Sequence, residues 1–343
     1  MINKIELYKL KLPLVKPYNL SFGSVENFNT ILSKIHFSDG TISYGETTLL
    51  KGYSPETLAD SWELNKELAD RIVNQEIENA LQILEGYLEF PFAVSALANA
   101  LYFKDINIDD LSFNIVGIIS EKKINQIKDK LDIILEKGYK VVKVKIGENV
   151  KSDVKRINYI AQNYDIDIRV DANQGYTYKE INYFIDNVLD DNLQLIEQPL
   201  DKKEWEIMKK LHQRVDVPLM LDEAIWTKHD IDKAQNCSDI IKLKLFKCGS
   251  VKKMIELINY AHSLGLKVLI GNGVQTEIAC IYEGYIQNNN KLDYIGEMNG
   301  FLKLQESLGD NILEFNNGRA ILNSDIKLKN LKRYIIERIE IVY

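Results

Sequence analysis

Three apolar runs in the middle of the chain each stop on an acid. Arg169-Val170-Asp171 leads into Ala172-Asn173-Gln174-Gly175, Leu195-Ile196-Glu197 into Gln198-Pro199, and Leu219-Met220-Leu221-Asp222 into Glu223. One such run means little, because strand ends are often polar. Three in succession suggest hard oxygen ligands gathered at one end of a parallel sheet, and Asp171, Glu197 and Asp222 together suit Mg²⁺. Lysines flank them. In Val141-Val142-Lys143-Val144-Lys145-Ile146 and in Ile240-Ile241-Lys242-Leu243-Lys244-Leu245 the charges alternate with apolar residues, so in a strand each lysine pair shares one face. A metal held by acids between two lysines suits carbon-acid chemistry. A proton next to a carboxylate is weakly acidic, because its loss puts a second negative charge on that group. A bound divalent cation offsets the charge, and a lysine that is neutral at working pH can take the proton. Two lysines on opposite faces of the carbon would invert a stereocentre; the same enolate could instead expel a leaving group. Lys145 and Lys244 stand nearest the strand ends and are the candidate pair.

These residues need strands to hold them. From position 111 the pattern runs strand, helix, strand, helix. Apolar strand cores centre on Ile115, Val144, Ile168, Ile196, Met220, Leu243, Leu269 and Tyr294. From Val144 onward they recur at roughly 25 residues, the spacing a (β/α)₈ barrel needs. Helix-like stretches at 152–163, 178–189, 202–215 and 251–264 lie between them. In an eight-membered ring the second and sixth strands face each other, and the acids come from the arc between. The chain ahead of this reads differently. A strand at 5–14 is followed by an aromatic and turn-rich loop at 15–24, a strand at 30–37, a Ser38-Asp39-Gly40 turn and a returning strand at 41–46. Ser54-Pro55-Glu56 marks a helix start, and helical patterns fill 55–70, 74–88 and 91–104. The fold class is therefore α/β: a (β/α)₈-type TIM barrel over 109–311 with an N-terminal α+β capping domain over 1–108. A strand-rich tail over 312–343 is expected to return to that domain.

Composition narrows the function. The 343 residues carry a net charge of -7, which disfavours nucleic acid and anionic membrane as partners. No apolar run approaches the roughly 18 residues a membrane span requires. Cys237, Cys248 and Cys280 form no metal-ligand spacing, and their sparseness fits a reducing cytosol. Met1-Ile2-Asn3-Lys4 opens straight into a strand pattern with no signal-peptide core, so a cytoplasmic protein is expected. His36, His212, His229 and His262 fall in the N-terminal strand or in helix-like stretches, and none ends a barrel strand. A histidine base is not expected.

Lys143-Val144-Lys145, Asp171-Ala172-Asn173, Glu197-Gln198-Pro199, Asp222-Glu223 and Lys244 together resemble the enolase superfamily, in its muconate-lactonizing (mandelate racemase/muconate lactonizing enzyme) branch. The resemblance spans the whole chain. It implies Mg²⁺ on Asp171, Glu197 and Asp222 and an acid/base pair of Lys145 and Lys244. Lys143 would support Lys145 and contact the substrate carboxylate. Asn173 and Glu223 would stand behind these groups, a helix N-terminal acid being the equal alternative for Glu223. Lys244-Leu245-Phe246-Lys247-Cys248-Gly249 is most similar to the dipeptide epimerases, but the Asp-x-Asp those enzymes carry near strand eight is replaced here by Asp293-Tyr294-Ile295-Gly296-Glu297. Glu297 would either meet a substrate amine or pair with a lysine. Gly271-Asn272-Gly273 would either leave room for substrate or form a plain turn. Tyr18, Phe22 and the Leu50-Lys51-Gly52-Tyr53 loop would close over the barrel mouth or pack between domains. The implied activity is Mg²⁺-dependent abstraction of a proton α to a carboxylate, with racemisation or epimerisation of an amino-acid-derived or dipeptide substrate. The alternatives are dehydration as in o-succinylbenzoate synthesis, a muconate-type cycloisomerisation, and a non-catalytic carboxylate-binding barrel. The expected partner is a small-molecule carboxylate, and a homo-oligomer is left open.

Overall fold

The computed structural model describes every residue except 21, 22, 291, 324, 325 and 330. Phe22 therefore lies outside the described residues. The first elements are β1 (Ile2–Leu20), β2 (Gly23–Phe37), β3 (Ile42–Leu49), α1 (Leu58–Ile72), α2 (Ile77–Glu85) and α3 (Pro91–Tyr102). The middle of the chain forms β4 (Ser112–Asn114), β5 (Gly117–Ile119), α4 (Ile124–Glu136), β6 (Val141–Lys145), α5 (Val150–Asn163), β7 (Asp167–Asp171), α6 (Tyr178–Asn187) and β8 (Leu193–Glu197). Then come α7 (Trp205–His212), β9 (Leu219–Leu221), α8 (Lys228–Ala234), β10 (Ile240–Leu243), α9 (Leu245–Cys248), α10 (Val251–Ser263), β11 (Lys267–Ile270) and α11 (Glu277–Asn289). Strands β12 (Leu313–Asn316), β13 (Arg319–Leu322) and β14 (Ile335–Val342) end the chain.

Period-two alternation makes the N-terminal sheet two-sided. Ile5 and Leu7 of β1 and Ile31 and Ile35 of β2 pack with α1 and α3. Tyr8, Leu10 and Leu12, on the other face, join the main core instead. The sheet order is β14-β1-β2-β3, all antiparallel. The 38–40 turn is present, with Gly40 at φ 83° and the Asp39 carboxylate accepting the Thr41 amide at 2.9 Å. Two local expectations are corrected. The loop at 15–24 is instead the far arm of the β1–β2 hairpin, paired out to Leu20 and Gly23 after an irregularity between Pro13 and Tyr18. Residues 15–17 are exposed, so that stretch has no buried face to impose alternation. The first helix starts at Leu58, capped by Thr57, whose hydroxyl accepts the Asp60 amide at 3.1 Å. Ser54 accepts the Leu50 amide and shapes the preceding loop, while Glu56 takes the amides of Phe92 and Ala93, both at 2.8 Å, at the start of α3.

The central sheet is parallel and curled, in the order β11-β10-β9-β8-β7-β6-β5, seven strands among the described residues. The expected first strand divides: β4 joins β12 and β13 in a separate antiparallel sheet, and β5 enters the parallel one. The expected eighth strand around Tyr294 is irregular chain. Its Ile295 carbonyl accepts from the Arg169 guanidinium at 2.6 Å instead of from a neighbouring strand. The segment still touches both ends of the sheet: the Glu297 amide donates to Ile270 O at 3.1 Å, and the Asn299 side chain reaches Val116 O at 3.4 Å. The tail also divides, because β12 and β13 pair with β4 and only β14 returns to β1.

Glu46 of β3 ties the N-terminal sheet to the chain after β11. It is buried, accepts the Thr276 amide at 2.8 Å and is hydrogen-bonded to the Thr276 hydroxyl. Burial pushes its carboxyl up to about 8; the Thr276 hydrogen bonds oppose this only in part, and Glu277 and Glu283 add to it. A carboxyl whose folded pKa lies above its unfolded value favours folding at low pH and loses that contribution as pH rises through the folded pKa. Replacing Glu46 with Gln should therefore narrow any stability deficit, or turn it into a gain, between about pH 6 and about pH 9 in urea unfolding. A gap between variant and parent that stays constant across that range contradicts the assignment.

Candidate active site

The same alternation sorts the parallel strands. Val142, Val144, Ile168, Val170, Ile196, Ile241 and Val268 face the helices as part of the main core. Leu195, Met220, Ile240 and Leu269 form a separate inner cluster against Tyr294. The remaining inner positions are charged: Lys143, Arg169, Glu197 and Lys242 are all buried. Arg169 donates to Gln194 at 2.6 Å and to Ile295 O, and burial lowers it to about 10.

At the carboxyl ends of the strands tight turns aim the acids. Asp171 ends β7, Glu197 ends β8, and Asp222 follows β9 directly. Asn173, Gln174 and Gln198 adopt positive φ of 42°, 68° and 37°, conformations that turn the chain sharply after Asp171 and Glu197. The Asn173 amide donates to Asp171 Oδ1 at 2.9 Å. Gln198, fully buried, accepts the amides of Asp222 and Ala224 through Oε1, each at 3.1 Å, and so fixes where Asp222 starts. Gly271 has φ 116°, and a Cβ there would lie 2.6 Å from the Glu297 amide nitrogen. It permits the close approach that seats Glu297.

The lysines interleave with these acids. Lys145 Nζ donates to Asp171 Oδ2 and Asn173 Oδ1, both at 2.7 Å. Lys143 Nζ stands 2.7 Å from Asp171 Oδ2, 2.5 Å from Glu197 Oε2 and 2.9 Å from Glu297 Oε1. Lys242 Nζ stands 2.5 Å from Glu297 Oε2, 3.2 Å from Glu197 Oε1 and 3.6 Å from Asp222 Oδ2. Lys244 Nζ donates to Asp222 Oδ2 at 2.7 Å and to the Tyr53 hydroxyl at 3.0 Å. Lys247 donates to Asp222 O at 3.0 Å and sits over the Trp226 ring. Glu223 accepts from Asn173 Nδ2 at 3.0 Å.

Titration follows from this packing. Burial alone would raise Asp171, but Lys143 and Lys145 outweigh it and hold the carboxyl far below its ordinary range. Lys244 and Lys242 do the same for Asp222. Burial and the Asp171 charge push Glu197 up to about 7. Glu297 falls to about 2, since Lys143 and Lys242 overcome its burial. Burial also works against the charged lysines, yet Asp171 leaves Lys145, and Asp222 leaves Lys244, above the usual lysine range.

A cavity of about 260 Å³ opens over this layer. Lys143, Lys145, Lys242 and Lys244 line it together with Asp171, Asp222, Asn173, Glu223, Asn272 and Glu297, and Tyr18, Leu50, Gly52 and Tyr53 line it from the N-terminal unit. Glu197 lies beneath, fully buried. Gly271 does not line the cavity; Gly273 does. The Asn272 side chain is occupied by both backbone groups of Val274. None of the four histidines is at the cavity. The sequence reading passed over Lys247 and Trp226. The signal for Lys247 was its position three residues after Lys244, which one helical turn brings back to the same side.

The Enolase C-terminal domain-like family model matches residues 126–325. The chain belongs to that family. Along its length this family member is similar to the N-succinyl-L-Arg/Lys racemase of Bacillus cereus, 26% identical over 337 residues covering 90% of each chain. It is also similar to an L-Ala-D/L-Glu epimerase of Clostridium acetobutylicum, 26% identical over 313 residues, 83% of this chain and 84% of that one. The crystal structure of the Bacillus cereus racemase superposes with a TM-score of 0.87 over 99% of both chains at 24% identity. A Cytophaga hutchinsonii dipeptide epimerase, solved with Mg and the dipeptide D-Ala-L-Val, gives 0.83 over 99% of both at 19%. The relatives are racemases and epimerases, and the neighbours share the fold.

The donor set at the strand ends fits a hard divalent cation. It consists of three carboxylates, and Glu197 Oε2 accepts no well-directed hydrogen bond although the Lys143 ammonium touches it. The acids do not form a ready cage, however. Among the described residues no three acid, histidine or cysteine side chains are spaced to clasp one ion. The reason is visible: Lys143 bridges Asp171 to Glu197, and Lys242 bridges Glu197 to Asp222. Removing one member of such a buried set strands its partners. Lys242→Met should destabilise the protein by about 3–5 kcal/mol. The double variant Lys242→Met/Glu297→Met should recover part of that loss in urea unfolding, whereas strictly additive effects would dismiss the coupling.

Proposed function

We propose that this enolase-family protein racemises or epimerises the carbon next to a carboxylate in an amino-acid-derived substrate. The observation that carries the reading is the placing of Lys145 and Lys244. They come from β6 and from the end of β10, four strands apart in the sheet, yet line one cavity. Each is held by an acid from a different strand end. Lys145 Nζ takes or returns the proton on one face of the carbon and Lys244 Nζ on the other. Asn173 positions Lys145, and the Tyr53 hydroxyl positions Lys244. Glu297 is assigned to holding Lys143 and Lys242 and so to charge balance rather than to a substrate amine. The naming of the relatives as racemases and epimerases supports the reaction class.

Asp171, Glu197 and Asp222 are the residues that would hold Mg²⁺. When bound there, the ion supplies positive charge that offsets the second negative charge of the enolate and loosens the hold of Asp171 and Asp222 on the two lysines. Lys143, which lines the cavity beside these carboxylates, is assigned to meeting the substrate carboxylate. Tyr18 and the 50–53 loop screen the cavity from water, which strengthens these interactions.

Two measurements test the reading. In heavy water the wild-type protein should exchange the α-hydrogen of both enantiomers of a turned-over substrate. Lys145→Ala and Lys244→Ala should each slow racemisation by at least about a hundredfold, each keeping exchange with one enantiomer only. Full exchange of both enantiomers in both variants rejects the lysine assignment. Separately, saturating MgCl₂ should raise the melting temperature of the chelator-treated protein by several degrees, since ligand at about 100 times Kd adds about 2.7 kcal/mol. The shift should vanish in Asp222→Asn. An equal shift in that variant places the ion elsewhere.

A further inference from the structure

Lys145 is less enclosed than the lysines around it. Its side chain is 30% exposed, against 3% for Lys143, 2% for Lys242 and 9% for Lys244. Side-chain packing therefore fixes it least, and more of that task falls to the main chain that carries it. Lys145 is also the last residue of β6. Beyond it the Ile146 amide donates to Asp171 O at 2.9 Å, and then the chain turns away.

Two buried charges on α5, Asp153 and Arg156, hold the chain on both sides of this lysine. They are ion-paired to each other. Arg156 donates to Lys145 O at 3.0 Å and to Glu121 O at 3.1 Å. Asp153 Oδ2 accepts the Gly147 amide at 3.0 Å and the Tyr176 hydroxyl at 2.6 Å. Tyr176 belongs to the turn that follows Asp171, so one carboxylate ties the ends of β6 and β7 together. The fit is close: a Cβ on Gly147 would collide with Ala172 O, and one on Gly175 with Gly147 O. Lys145 Nζ reaches across this junction to Asp171 and Asn173. An acid in the first turn of a helix and an i,i+3 ion pair are ordinary surface devices. Burying them costs their hydration, and here the burial sets their remaining hydrogen bonds on the chain around Lys145. Neither residue lines the cavity, so any effect on the reaction passes through that lysine. Lys244 has separate support: the amide of Leu245, next in the chain, donates to Glu283 of α11 at 3.0 Å.

Resting on the racemase reading above, we propose that Asp153 and Arg156 are positioning residues for Lys145 alone, and that they govern proton transfer on one face of the substrate carbon only. They fix the carbonyl of Lys145 and the amide two residues on, and so set where its Nζ stands against Asp171 and the substrate. A base displaced by a fraction of an ångström to an ångström loses much of its rate while substrate still binds. The Lys244 face, carried by other elements, keeps its geometry.

The test is α-hydrogen exchange in heavy water, measured on the Mg²⁺-supplemented full chain with one lysine left at a time. Lys244→Ala leaves the Lys145 half of the reaction, and Lys145→Ala leaves the Lys244 half. Adding Arg156→Met to Lys244→Ala should cut the remaining exchange about tenfold or more. Adding it to Lys145→Ala should leave the remaining exchange almost unchanged. A general loosening of the fold would lower both. Tyr176→Phe removes one hydrogen bond to Asp153 and little volume. It should slow the Lys145 half severalfold and takes the place of Arg156→Met if that variant does not fold. Equal losses in both backgrounds, or no loss in either, overturn the proposal. Exchange of both enantiomers in both single-lysine proteins instead rejects the lysine reading itself, and this assignment with it.

Discussion

The structure depends on keeping ammonium and carboxylate groups together out of water. Lys143 and Lys242 are each 2% exposed, Asp171 and Glu197 are fully buried, and Glu297 is 5% exposed. None of these ions is tolerable alone in such a place, since an uncompensated buried charge costs several kcal/mol even after relaxation. They survive because each ammonium touches two or three carboxylates from separate segments of the chain. That mutual dependence also sets the register. A slip of one residue in β6 or β10 would turn both lysines toward the helices and bring Val142 and Val144, or Ile241 and Leu243, against the acids. The charged layer therefore specifies the register together with the apolar core.

Much of this was legible before any coordinates. Alternation within 141–146 and 240–245 identified which face each lysine takes, because a parallel sheet covered by helices leaves only one destination for the valines and isoleucines. The acids were legible because each ends an apolar run. Other features were not. The segment around Tyr294 has the right spacing for an eighth strand, but its Ile295 carbonyl is taken by Arg169, a contact across the interior that no local pattern reveals. The split between β4 and β5 was hidden because 112–119 reads as one apolar run. The bridging of acids by Lys143 and Lys242 was also out of reach: alternation says which way a side chain points, not which of several acids its end meets.

The N-terminal unit contributes in a way that strand and helix patterns only half disclosed. Tyr18 reaches the cavity because the β1–β2 arm continues as paired strand well beyond the buried part of the sheet. Tyr53 reaches it from a loop shaped by Ser54, whose hydroxyl accepts the Leu50 amide. Both aromatic residues stand beside lysines: Tyr18 by Lys303, Tyr53 by Lys244. The N-terminal unit is thus part of the electrostatics of the cavity as well as of its walls, and buried Glu46 fastens it to the chain that follows β11.

The charge balance explains how such a site could serve the proposed reaction. Lys143, Lys145, Lys242, Lys244 and Lys247 face Asp171, Glu197, Asp222, Glu223 and Glu297, and each of these ten side chains has a polar partner within the set or directly beside it. Nominally the set is neutral. A divalent cation alone would leave it doubly positive, and a substrate carboxylate alone would leave it negative. The two together lie closer to balance. Once one lysine has given up its proton the sum would be zero, and moving a proton from the substrate to that amine would keep it there. The arrangement thus disfavours either partner alone and favours the two together with one lysine neutral, the protonation state in which that amine can act as a base.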